Sequence, residues 1–130
     1  MLSLKLQMPV LLAVVKQKFS NQIMTLNCVT KGFSILLEKP QEEIAEQLNY
    51  PYFEDEWGPL LKSYGFKLVP ILPKPYQKRM TVQELAELVK PTDLVLARCA
   101  HHVIAIKNNE IYDPEYSYGL CVYHYYIKSL

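Results

Sequence analysis

A chain of 130 residues, half of them apolar, is long enough to bury a core without disulfides or a metal, and it reads as one domain spanning residues 1–130. A formal net charge of +1 gives no electrostatic pull toward nucleic acid or an anionic membrane surface. Three cysteines, Cys28, Cys99 and Cys121, are an odd set without regular spacing, which argues against a disulfide framework or a structural zinc and fits reduced thiols in a cytoplasmic setting.

Leu2, Leu4, Leu6 and Met8 alternate with polar residues, the period of a strand. Residues 8–15 are apolar but interrupted by Pro9, too short to span a membrane, and followed by Lys16 rather than a cleavage site. The expectation is that they belong to the fold and that the protein is cytoplasmic. Residues 10–17 fit either strand or helix, and Ser20, Asn21 and Gln22 read as a loop.

Asn27 is a suitable N-cap. Val29, Phe33, Leu36 and Leu37 then fall on one face of a buried helix, with Cys28 in its first turn. Lys39-Pro40 ends that helix. A second places Ile44, Ala45 and Leu48 inside and Glu42, Glu43 and Glu46 outside. Residues 50–57 are aromatic and acidic and read as a loop, with Gly58-Pro59 opening the next helix and Gly65 stopping it. A strand over residues 66–72 is broken by Pro70, which suits a sheet edge. Residues 73–78 form a stiff loop. Thr81 and Glu84 have capping-box spacing ahead of Val82, Leu85, Ala86 and Val89.

Sheet follows. Residues 94–97 read as a central strand and 102–107 as the next. Asn108-Asn109 suits a two-residue hairpin turn, residues 111–113 return, and the tyrosine-rich stretch 122–127 is the last strand. Helices first and strands later is an α+β order.

The hairpin carries chemistry. With Asn108 and Asn109 as its loop, Lys107 faces Glu110, Ile106 faces Ile111, and Ile104 faces Asp113. His102 then shares a face with Asp113 and lies diagonal to it, within reach of a hydrogen bond, while His101 points away. A carboxylate behind an imidazole fixes its tautomer and stabilises the imidazolium. Cys28, at a helix N-terminus, is the best nucleophile: the helix dipole and a nearby imidazolium both favour thiolate. Cys99 and Cys121 fall in expected strands and read as structural. Taken alone, a cysteine on an apolar helix is ordinarily a small core residue, and a His-Asp pair on a hairpin an ordinary polar contact. His124 fits a half-buried strand face, and the tyrosines at 112, 116, 118, 123, 125 and 126 fit a packed sheet or a groove. Adjacent histidines on a strand diverge, so no metal site is assigned to His101, His102 and Asp113.

The order of Cys28 on a helix tip, more helices, then His102 opening one strand and Asp113 ending the next is similar to the papain-like cysteine peptidase superfamily. Gln22 lies six positions before Cys28, where many members carry the oxyanion-hole glutamine. The stretch from Gln22 to Cys28, with Tyr112-Asp113-Pro114, resembles the leader-peptidase domains of bacteriocin exporters. The stretch from Asn27 to Ser34, with Glu38-Lys39-Pro40, resembles small papain-like proteins of phages. Val29 stands where leader peptidases usually have glycine, and His101 where many members of the superfamily do.

The resemblance implies a papain-like fold, a helical part carrying the cysteine helix packed on a C-terminal antiparallel sheet. It also implies a Cys-His-Asp site: Cys28 as nucleophile, His102 as general base and acid, Asp113 orienting His102, and Gln22 binding the oxyanion with the Cys28 N–H. The expected activity is a cysteine-dependent peptidase or amidase acting on a peptide or protein through a thioester, with no cofactor and no metal. The alternatives are an inactive papain-fold binding or inhibitory protein, such as a phage factor acting on a host protein, and, third, a peptidoglycan amidase or endopeptidase, for which the chain shows no wall-binding segment.

Overall fold

A computed structural model describes residues 28–49, 51–72, 75–112 and 119–130. The strand expected at Leu2–Met8, the ambiguous residues 10–17, Gln22, the Asn27 cap, part of the loop at 73–78, Asp113, Tyr116 and Tyr118 lie outside the described residues.

Among the described residues three helices come first: α1 (Cys28–Leu37), α2 (Gln41–Gln47) and α3 (Glu54–Ser63). Strand β1 (Lys67–Pro70) and helix α4 (Val82–Leu88) follow. Four more strands end the chain: β2 (Asp93–Cys99), β3 (His102–Lys107), β4 (Glu110–Tyr112) and β5 (His124–Ser129). The strands form one antiparallel sheet in the order β1-β5-β2-β3-β4. The fold is therefore α+β, as the element order implied. The last strand inserts between β1 and β2, a position its sequence does not announce.

The sheet is packed on both faces. Val29, Phe33 and Leu36 of α1, Ile44 of α2, and Trp57 and Leu61 of α3 form one core with Leu94, Leu96, Val103, Ala105 and Tyr126. Val82, Leu85 and Ala86 of α4, with Val89, form a second with Val95, Ala97, Cys99, Ile104 and Ile106 on the opposite face. This explains the unbroken apolar run in β2. A strand covered on both sides needs no polar alternation.

Several local signals act as their chemistry dictates. Asn108 and Asn109 both adopt positive φ, 55° and 60°, and the hairpin pairs Lys107 with Glu110 and Ile106 with Ile111. Thr81 accepts from the Glu84 N–H, and the Glu84 carboxylate accepts from the Thr81 N–H, a complete capping box. Pro70 ends an edge strand, where its missing N–H leaves no gap in the ladder.

Two expectations need correction. Helix α3 does not start at Gly58-Pro59. It starts a turn earlier, after the Phe53 cap, and holds Pro59 inside. Glu54, Asp55 and Glu56 fill its first turn, where negative charge meets the positive end of the helix dipole. Cys121 is not a buried strand residue. It is exposed and forms only an isolated bridge opposite Thr81.

Helix α1 lies along β3 and runs the same way. Cys28 meets His102 and Val103 at the start of the strand, and Glu38, just beyond the helix, takes the Lys107 ammonium at 2.6 Å at the strand's end. Ten residue steps of helix cover about 15 Å and five of strand about 17 Å, so the two elements match in length. The helix can lie this close because residue 32 is glycine: a Cβ there would stand 2.7 Å from Leu96 Cδ1. The Thr30 hydroxyl donates to Gln41 Oε1 at 3.1 Å, tying α2 to α1 through two buried polar groups.

Replacing Gly32 by Val would force α1 off the sheet, because the fully buried Leu96 has little room to give. The expected destabilisation is about 2 kcal/mol, read as a lower urea midpoint, with slower alkylation of Cys28 at neutral pH as its local consequence.

Candidate active site

The site sits where the start of α1 meets the start of β3. Ala100 and His101 form a two-residue connection between β2 and β3, and Cys99 pairs with His102 across it. His101 takes φ 55°, in the left-handed region that glycine occupies freely and most residues avoid. His101 itself is exposed on this turn, and His102 is half-buried.

Cys28 is half-buried and free of any disulfide. The His102 side chain and the Val103 N–H both hydrogen-bond to its sulfur. Burial pushes the thiol pKa up. The hydrogen bond from His102, the Val103 N–H, the charge of His102 and the Cys28 N–H together push it down further, leaving it below the ordinary thiol value. The first turn of a helix adds its dipole in the same sense.

The pair forms at the end of the strand rather than across one face. By alternation His102 belongs with Ile104 and Ile106, which pack in the second core. Cys28 comes from the helix over the first core. The two meet where His102 opens β3. Of the four residues named from the sequence, the structure brings Cys28 and His102 together; Asp113 and Gln22 fall outside the described residues.

A second polar cluster stands beside this pair. Arg98 is the Cα partner of Val103 on one side and of His124 on the other, so all three lie on one rung of the sheet. The Arg98 Nε donates to Glu54 Oε1 at 3.2 Å, and its Nη1 donates to the Cys99 carbonyl. Glu54 Oε2 accepts from the Tyr126 hydroxyl at 2.7 Å and contacts His124 Nε2. Burial raises the Glu54 pKa, but the bonds from Tyr126 and His124 and the charges of His124 and Arg98 bring it below the usual carboxylate range. Burial first and Glu54 second raise the Tyr126 phenol well above its ordinary value. Gly58 leaves room for this contact, since a Cβ there would sit 2.9 Å from Tyr126 Oη.

Sequence reasoning missed Glu54 and Arg98 as a unit, because they lie 44 residues apart. The available signals were partial. Glu54 belongs to an acidic run that suits a helix start, and His124 and Tyr126 share a strand face. Among the described residues no group of three His, Cys, Asp or Glu side chains could hold a metal ion, and no helix is long and apolar enough to cross a membrane.

His102→Ala removes both a hydrogen bond and a positive charge from the thiolate. The Cys28 pKa is expected to rise, so that the pH profile of alkylation moves to higher pH. The neutral-pH rate then falls about tenfold for every pH unit by which the profile moves. His101→Gly relieves the left-handed turn while adding unfolded-state entropy. The expected net effect is a stabilisation of up to about 1 kcal/mol in urea unfolding.

Protein-family models, characterised proteins and solved structures yield no match to this chain, so its functional reading rests on its own residues.

Proposed function

We propose that the protein is a cysteine hydrolase of papain-like architecture, a peptidase or amidase acting on a peptide or protein in the cytoplasm. The observation that carries this reading is the contact of the half-buried Cys28 thiol with His102 at the tip of α1, with the thiol pKa lowered. A structural cysteine in an apolar setting has its pKa raised instead. Among the described residues, a helix carrying the cysteine and two more after it, packed on an antiparallel sheet whose strand β3 opens with the histidine, support the same reading.

The chemistry follows from the pair. The Cys28 thiolate attacks the carbonyl carbon of the scissile amide, and the oxygen takes up the negative charge. The Cys28 N–H at the helix start, with Gln22 as its proposed partner, stabilises that oxyanion. The His102 imidazolium gives its proton to the departing amine as the C–N bond breaks, leaving a thioester on Cys28. Neutral His102 then takes a proton from water, whose oxygen attacks the thioester and releases the acid and the thiolate. Asp113 is the proposed orienter of the His102 ring.

Active-site labelling with an electrophilic peptide probe tests the proposal. In the wild-type chain the adduct is expected on Cys28, not on the buried Cys99 or the exposed Cys121. With a cleavable substrate, Cys28→Ala and His102→Ala are each expected to cost at least about a thousandfold in kcat/KM. Labelling of Cys28 no faster than Cys121, and indifferent to His102→Ala, would sink the reading. If Cys28→Ala instead retains the full biological effect of the protein, the fold serves as a binding scaffold.

A further inference from the structure

We propose that Arg98 and Glu54 are positioning residues for the Cys28–His102 pair, clamping the sheet end that presents the His102 ring and the Val103 N–H to the sulfur. This rests on the reading of Cys28 and His102 as the reacting pair and adds to it how that pair is held.

The sulfur has two partners from β3, the His102 side chain and the Val103 N–H, and both follow the two-residue turn at Ala100–His101. That turn carries a non-glycine residue in the left-handed region, a conformation that persists only where the surroundings hold it. Arg98 holds it from three directions. Its backbone pairs with Val103 in the ladder. Its Nη1 donates to the carbonyl of Cys99, the residue opposite His102. Its own carbonyl accepts the Tyr123 N–H at 2.9 Å.

Glu54 in turn fixes the guanidinium. It takes Arg98 Nε on one carboxylate oxygen and the Tyr126 hydroxyl and His124 Nε2 on the other. The carboxylate thereby joins α3, β2 and β5. A planar guanidinium bonds Glu54 and the Cys99 carbonyl at once through differently directed N–H groups; a lysine ammonium at the same place keeps the charge but not that fork. The ion pair is partly exposed, with side-chain accessibilities of 28% for Arg98 and 27% for Glu54. Its value here lies in geometry more than in stability.

The test separates positioning from simple charge. In a Cys121→Ala background, which removes the exposed thiol, the pH profile of Cys28 alkylation is measured for the parent, Glu54→Gln, Arg98→Lys and His102→Ala, with far-ultraviolet circular dichroism to confirm folding. Glu54→Gln removes a negative charge near the thiolate, so through-space electrostatics alone would lower the Cys28 pKa. Loss of positioning raises it. The expected result is a rise of at least about half a pH unit, about a threefold loss of thiolate well below the pKa. A fall, or no change, overturns the proposal. Arg98→Lys preserves the charge and is expected to give the same rise; should Glu54→Gln fail to fold, Arg98→Lys decides on the same criterion. His102→Ala reports on the underlying reading: if it leaves the profile unchanged, the reacting pair itself is wrong. If it shifts the profile while the folded clamp variants do not, the pair stands and the clamp falls.

Discussion

The close approach of α1 to the sheet decides where the sulfur goes. Gly32 lets the helix settle over Leu96, and no side chain larger than hydrogen fits there without displacement. With the helix axis held, two contacts fix its position along β3. The Glu38–Lys107 pair marks the strand's end, and Cys28 meets His102 and Val103 at its beginning. Because helix and strand have matched lengths, the register at one end sets the register at the other. A shift of the helix by one residue would move the thiol about 1.5 Å along the axis and turn it away by more than a quarter of a circle. Packing far from the sulfur is thus part of its chemistry.

Two partly buried acids sit at this end of the sheet, and burial opposes ionisation in both. For Cys28 the opposition is overcome by donors from His102, Val103 and its own N–H. For Glu54 it is overcome by Tyr126, His124 and Arg98. A half-buried anion persists only when donors are already aimed at it. The Cys28 donors are backbone N–H groups and an imidazole, arranged by a helix start and a tight turn. The Glu54 donors are side chains from β2 and β5 and engage both oxygens, which suits a fixed tie.

Local chemistry was legible in the sequence, and long-range assembly was not. The Asn108-Asn109 turn, the Thr81 capping box and the helix with Cys28 in its first turn each depend on neighbours within a few residues. They fold as their sequence dictates. Pro59 misled because proline is most familiar at a helix start, while three acidic residues upstream favoured an earlier one and the core took Trp57. Hairpin arithmetic gave the register in the described pairs. It placed His102 on the face of Ile104, whereas the contact with Cys28 forms where β3 opens. The Glu54–Arg98–His124–Tyr126 cluster had no local signature, since its members are joined only by the sheet order.

That order gives the last strand a role beyond packing. β5 enters between β1 and β2, so the central ladder is complete only when the C-terminal residues dock. Until then His124 and Tyr126 cannot reach Glu54, and the Arg98 carbonyl lacks the Tyr123 N–H. The tyrosines of this stretch divide accordingly. Tyr126 is buried against Trp57, with ring centroids 5.3 Å apart, and carries the hydroxyl that meets Glu54. Tyr125 packs on the opposite core. Contacts of such long sequence separation carry a loop-closure entropy that must be met before they stabilise anything. On the proposed positioning role of Arg98 and Glu54, docking of β5 also fixes the sheet end that faces Cys28, because two of the three donors to Glu54 come from that strand.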